Sequence, residues 1–185
     1  LDQLTHGNQI NVQPAAAFAG AAPIIVWTRV ATPVVDTAID PHTLLPDTEI
    51  VSMVGPFTST TGLVLTQVTT NTNMDLLPAV RSNAAGTPDV LAMWLHDTSG
   101  NYPLFTDEST RDLAVSLMAS RWDGAAWSSP TAAIEGVSTR EAPQFAYRGD
   151  EVVLAWSHDR DGNPSTITDT EIRVATWENP TVWAT

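Results

Sequence analysis

Oxygen-bearing side chains fall at alternate positions in two places along this chain, Asp97-x-Ser99-x-Asn101 and Asp159-x-Asp161-x-Asn163. That spacing lets one loop turn carboxylate, hydroxyl and amide oxygens towards a hard cation. Glu108 is the twelfth residue counted from Asp97, and Asp169 is the eleventh from Asp159. Each run therefore has an acidic group near the place where a calcium loop closes. Calcium is the cation such loops would take, and the sequence calls for no other cofactor. The glycines Gly100 and Gly162 stand fourth rather than sixth, however, and Asp-Gly and Gly-Asn are ordinary turn dipeptides. A solvated loop rich in Asp and Asn is the alternative reading of the same residues.

His96–Asp97 and His158–Asp159 each follow a tryptophan with one residue between, and Arg29 holds the histidine position behind Trp27. Two such histidines could bind a metal or work as acid and base. The alternative is structural, with the histidine bonding a neighbouring backbone and the aspartate capping a loop. Tyr102 and Tyr147 are the only tyrosines, and nothing in the sequence pairs Arg29 with Arg173. Arg148–Gly149–Asp150 spells an integrin-recognition tripeptide but falls where a turn between strands is required. The chain has no cysteine, no phosphate-binding glycine loop and no Cys/His metal spacing.

The elements that must carry these residues repeat. Val152–Val153–Leu154–Ala155–Trp156–Ser157–His158–Asp159 matches Val90–Leu91–Ala92–Met93–Trp94–Leu95–His96–Asp97 at a displacement of 62 residues. A weaker copy is Ile24–Ile25–Val26–Trp27–Thr28–Arg29. The runs are continuous and short, as expected of strands covered on both faces. Before each lies a proline-led segment (at Pro14, Pro78 and Pro143) and a turn rich in Gly, Pro and Asp. Proline suits the first residue of a strand because it has no N–H for the ladder. After each lies a long polar loop and then a third strand, read over Glu49–Val54, Asp112–Arg121 and Glu171–Thr176. In the second copy Trp122–Asp123–Gly124–Ala125–Ala126–Trp127 turns into a fourth strand, and Trp177 begins the matching stretch of the third.

Four short antiparallel strands recurring about every 60–65 residues read as an all-β fold of β-propeller blades, with a β-sandwich of similar strand count as the runner-up that the matched loops and tryptophans argue against. Repeat one is read at about 6–68, repeat two at 69–134, and repeat three at 135–185 with its last strand incomplete. Trp27, Trp94, Trp156, Trp122, Trp127 and Trp177 form the fold signature, large flat side chains suited to the space between blades. About three blades are too few to close a ring of roughly four to eight. The expected partners are therefore other repeats of a longer chain or other copies of this one. Residues 1–5 resemble the end of a repeat and 181–185 an unfinished one, consistent with either.

The net charge is −13, and all eight basic residues are arginine. Such a surface repels phosphate backbones, so nucleic acid is not an expected partner. No apolar run reaches the ~20 residues of a membrane-spanning helix, and membrane insertion is not expected. Hydrophobic residues make up 43% of the chain and charged residues 16%, which excludes disorder.

Trp156-x-x-Asp159-x-Asp161-Gly162-Asn163, Thr168–Asp169–Thr170–Glu171–Ile172, Trp122–Asp123–Gly124 and Trp127–Ser128–Ser129–Pro130 resemble the sialidase-like (BNR-type) propeller repeats of large bacterial extracellular and surface proteins. Ser120, Asp123, Gly124 and Trp127 approximate the sialidase Asp-box, with the aspartate displaced by one residue. The resemblance implies an extracellular or cell-surface location. A sialidase-type enzyme would need converging arginines, a tyrosine nucleophile and an acid, and no such set stands out. The expected function is thus a non-enzymatic propeller module with a structural, adhesive or ligand-binding role, with glycans or surface proteins as possible ligands. One alternative is a self-assembling subunit of an extracellular filament or layer, completed by strand exchange. Another is a carbohydrate-binding or glycoside-processing propeller, with Tyr102 and Phe105 as loop aromatics.

Overall fold

The structure is a computed structural model, which describes residues 5, 9–31, 48–57, 63–83, 89–97, 115–137, 139, 141–160 and 169–178. Eleven strands run through them: β1 (Asn11–Ala19), β2 (Ala22–Val30), β3 (Thr48–Val54), β4 (Val64–Gln67), β5 (Asp75–Ser82), β6 (Val90–Asp97), β7 (Val115–Trp122), β8 (Thr131–Glu135), β9 (Gln144–Arg148), β10 (Glu151–Asp159) and β11 (Thr170–Glu178). They form three antiparallel meanders, β1-β2-β3-β4, β5-β6-β7-β8 and β9-β10-β11, called blades A, B and C below. Among the described residues there is no helix. The fold is all-β and of the β-propeller type, with an incomplete set of blades.

The continuous apolar run of β6 has the cause its composition implies. Val90, Ala92 and Trp94 pack with Ile24, Val26 and Ile50 of blade A. Leu91, Met93 and Leu95 pack with Val152, Leu154 and Trp156 of blade C. Both faces of the strand are core, so period-two alternation is absent. β10 differs, because its buried residues Val152, Leu154, Trp156 and His158 alternate with partly exposed ones. Only one face of blade C is covered among the described residues.

Two of the three prolines sit differently from expectation. Pro14 and Pro78 lie inside β1 and β5, each the fourth residue of its strand, while Pro143 directly precedes β9. The ladders shift register between Val12 and Ala15 and between Leu76 and Ala79. At these bulges Gln13 and Leu77 both have a φ of 56°. A bulge leaves one residue outside the ladder, so a proline there forfeits no hydrogen bond. The bulge also turns Gln13 towards the next blade, where its Oε1 accepts the Leu77 N–H at 3.0 Å and the Thr28 hydroxyl at 3.2 Å. Equivalent bulges of neighbouring blades are thereby joined.

The turns follow their residues. Gly20–Ala21 and Gly149–Asp150 close two-residue hairpins with φ of 64° and 61° at the glycine only, the pattern of a type II′ turn. Arg148 of the integrin-like tripeptide is paired with Glu151 across its own hairpin. Asp123 Oδ1 accepts the N–H groups of Ala125 and Ala126, both at 2.8 Å, which makes the β7–β8 connection an Asx turn.

The tryptophans divide by role. Trp94, Trp122 and Trp127 lie between blades A and B, and Trp156 and Trp177 between B and C. Trp122 and Trp127 have centroids 5.7 Å apart at 58°, and Trp127 Nε1 donates across the blades to Ser52 Oγ at 2.8 Å. Trp27 belongs to a third cluster with Val51 and Met53, on the face of blade A turned away from B.

Candidate functional site

The meanders put the starts of β1, β3 and β5 and the ends of β2, β6 and β10 on one rim. The segments 31–47, 98–114 and 160–168, where the candidate loops lie, join strands at this same rim. A polar network occupies the rim at the junction of blades A and B. Its centre is Asp75, the first residue of β5, fully buried. Asp75 Oδ1 accepts Trp94 Nε1–H at 2.7 Å and His96 Nδ1–H at 2.8 Å, and Oδ2 accepts Asn71 Nδ2–H at 2.7 Å. Its backbone N–H donates to Thr48 Oγ1 at 3.1 Å.

Glu49, the second residue of β3, holds the crossover that leads into blade B. It accepts the Thr69 hydroxyl through Oε2 and the Asn71 N–H at 2.8 Å through Oε1. Thr69 in turn accepts the Ile50 N–H at 2.8 Å. These two buried carboxylates bind the scaffold's own donors, which explains how they tolerate the interior.

His96 is the network's outward member, partly exposed while Asp75 is not. The hydrogen bond to Asp75 holds its pKa above the ordinary histidine value; burial opposes this, and the charges of Asp75, Asp97 and Glu49 add to it. The fold thus favours the imidazolium over what a free histidine would show. The imidazolium offers a cationic N–H donor at the rim, suited to a sugar hydroxyl or a carboxylate.

Blade A carries the same arrangement with different chemistry. Asn11 Oδ1 accepts Trp27 Nε1–H at 2.7 Å and Arg29 Nε–H at 3.2 Å, and the guanidinium lies 6.0 Å from the Trp27 ring centroid. Asn11 pairs with Arg29 across the ladder as Asp75 pairs with His96. Burial lowers the Arg29 pKa. In blade C, His158 is buried, Thr139 Oγ1 lies 3.1 Å from Ser157 Oγ, and Trp156 Nε1 has no hydrogen-bond partner among the described residues. The recurrence after each tryptophan, readable in the sequence, therefore marks one rim position filled by Arg29, His96 and His158. Asp75, Glu49 and Asn11 were not singled out from sequence. The available signal was that Asn11 precedes Asp75 by the repeat length.

Of the candidate calcium ligands, Asp97 ends β6 buried, its N–H bonded to Met74 O at 3.0 Å. Asp159 ends β10, and Asp169 directly precedes β11. Ser99, Asn101, Glu108, Asp161 and Asn163 lie outside the described residues, as do Tyr102 and Phe105. Among the described residues no three His, Asp or Glu side chains are grouped to hold a metal.

Tyr147 lies towards the opposite rim, within the electrostatic influence of an ion pair there. Arg121 Nε and Nη2 donate to the two oxygens of Asp89 at 2.5 and 2.8 Å. Burial, and then the Asp89 charge, raises the Tyr147 pKa, and its hydroxyl has no partner among the described residues. A phenol so placed is a poor nucleophile.

No family model matches the chain, and no curated protein matches it in sequence. Solved structures do match in fold. A Hadza microbial sialidase is similar at a TM-score of 0.57 and 13% identity, covering 91% of this chain and 35% of its own. A GH93 α-L-arabinofuranosidase of Fusarium graminearum gives 0.48 and 11%, covering 91% and 45%. Inulosucrase from Halalkalicoccus jeotgali gives 0.49 and 10%, covering 85% and 45%. The chain thus spans less than half the length of these structures. The expectation of a non-enzymatic module is corrected here: the sialidase, matched at a TM-score above 0.5, is an enzyme, so the scaffold gives no ground for excluding glycoside chemistry. The chain has a β-propeller type of fold, similar to that of the sialidase.

Proposed function

We propose that this chain forms part of a secreted, carbohydrate-binding and glycoside-processing β-propeller, with the loop-bearing rim of blades A and B as a ligand surface. The supporting observation is His96 at that rim, hydrogen-bonded to buried Asp75, which favours its protonated form, with Arg29 at the equivalent place in blade A. Both groups donate hydrogen bonds, and the sugar class they suit is one bearing a carboxylate. Asp75 acts as a positioning residue, since its oxygens are committed to Trp94, His96 and Asn71. The Asp-box likeness agrees with this reading, because Asp123 forms the turn between third and fourth strands of its blade.

A glycan array probed with the chain, followed by titration of any hit, tests the proposal. Acidic glycans are expected among the ligands, with affinity reduced roughly tenfold in His96→Gln, the loss of one charged hydrogen bond. Absence of binding to every glycan, together with no hydrolysis of aryl glycosides, would refute it.

A further inference from the structure

We propose that the Trp156 indole N–H, at the junction of blades B and C, is a ligand contact that donates to an oxygen of a glycan bound along the same rim. This rests on the glycan reading and adds to it a contact one junction away from His96. Both blades that flank this junction are among the described residues, so blades added at either end of the arc leave it as it is. An indole has one N–H to donate and nothing to accept with. In blades A and B the blade's own first strand takes that donor. Trp27 Nε1–H goes to Asn11 Oδ1 and Trp94 Nε1–H to Asp75 Oδ1, each at 2.7 Å. In blade C, Trp156 Nε1 is buried with no hydrogen-bond partner among the described residues.

The sequence accounts for the difference. Asn11 stands four residues before Ala15, whose ladder partner Val26 precedes Trp27. Asp75 stands four before Ala79, whose partner Met93 precedes Trp94. The third blade's counterpart is Gln144, paired with Ala155, and four residues before it the chain has Arg140. Arg140 lies outside the described residues, and an arginine side chain carries donors only. The acceptor that closes the N–H within blades A and B thus has no counterpart at that count in blade C.

Loose packing does not explain the open donor. Trp156 is 9% exposed and packs with Leu91, Met93 and Leu95 of blade B. At the A–B junction Trp94 and Trp127 both have acceptors for their N–H groups. Native proteins leave few buried donors unpaired, and each one calls for a cause, a bound group among them. On the same face of β10 the next residue towards the rim is His158, also buried. The indole therefore lies next to the rim position that Arg29 and His96 hold in the other blades. What its N–H takes is an oxygen, which a sugar offers as a hydroxyl or a carboxylate. His96 suits the acid group of such a ligand, and an uncharged donor one junction along suits a further oxygen of the same oligosaccharide.

Nitrogen–proton correlation spectra give one indole signal for each of the seven tryptophans, and Trp156→Phe identifies that of Trp156 by its loss. The wild-type chain is titrated with the acidic glycans retained on the array and with free glucuronate. The Trp156 indole proton is expected to move downfield and to exchange more slowly with water, while those of Trp27 and Trp94, already bonded, keep their exchange rates. Affinity in Trp156→Phe is expected to fall roughly three- to tenfold, the loss of one neutral hydrogen bond. A hydroxyl contact responds to neutral methyl glucoside as well, a carboxylate contact to the acids alone. A ligand that shifts the His96 ring signals and leaves the Trp156 indole unmoved overturns this inference and keeps the glycan reading. A resident water bonded to the indole, and retained at ligand saturation, overturns it too. No shift at either residue with any probe refutes the glycan reading, and this inference with it.

Discussion

Replacing Asp75 separates its role as acceptor from its role as charge. Asp75 and Trp94 are both fully buried. In Asp75→Ala the Trp94 N–H loses its partner where water has no access, a loss of about 1–3 kcal/mol. Asn71 is exposed and His96 partly so, and water replaces most of what those two lose. With the methylene and carboxylate volume left empty, the total comes to about 2–4 kcal/mol. Asp75→Asn keeps an oxygen for Trp94, and blade A shows that an amide does this work, since Asn11 accepts Trp27 and Arg29 together. Its loss is about 1 kcal/mol, from the charge on the His96 bond. The two variants also differ in pH dependence. The wild-type His96 pKa is raised in the fold from its ordinary value of 6.5. Its pairing with Asp75 therefore stabilises fully below 6.5 and is lost as pH rises through the raised value. In Asp75→Asn that part of the pH slope disappears. Urea unfolding followed by tryptophan fluorescence at several pH values measures both quantities. The reasoning fails if Asp75→Asn is as damaging as Asp75→Ala, or if its pH slope equals that of the wild type.

Two further outcomes follow from single contacts. Trp127→Phe keeps the ring against Trp122 but removes the Nε1–H donated to Ser52; a loss of about 1 kcal/mol in chemical unfolding is expected, and Ser52→Ala in that background should add little. Gly149→Ala meets no neighbouring atom within 4 Å, so its penalty is purely that of a positive φ of 61°, about 1 kcal/mol in the same unfolding measurement.

The blades were legible because their signal is local. A run such as Val90–Trp94 is apolar at every position, and the structure places core on both of its faces. The turn at Asp123–Gly124 is a property of those residues and their immediate neighbours. Pro14 and Pro78 misled because their chemistry has two outlets, a strand start or a bulge, and choosing between them needs the register of the partner strand. Asp75 was missed for a related reason. It lies 19 residues from Trp94 and 21 from His96, and no motif spans that distance. His96, His158 and Arg29 were visible through repetition, and the ladder adds the acceptors Asp75 and Asn11 opposite His96 and Arg29.

That shared place distinguishes scaffold from site. A tryptophan stands in all three blades, as a residue does when its work is to fill the space between sheets. The group two residues later changes from Arg29 to His96 to His158, and the acceptor changes from Asn11 to Asp75. Packing alone gives no reason for this, because an amide accepts the tryptophan N–H as well as a carboxylate does. What the change alters is charge: blade A shows an arginine on a neutral partner, and blade B a histidine whose protonation depends on pH. A repeat that keeps its geometry and varies its electrostatics from blade to blade presents an asymmetric rim. Titrating ligand binding from pH 5 to 8 in wild type and Asp75→Asn locates the functional blade. If blade B carries the contact, the carboxylate-dependent pH profile flattens in the variant; if Arg29 alone carries it, the two profiles coincide.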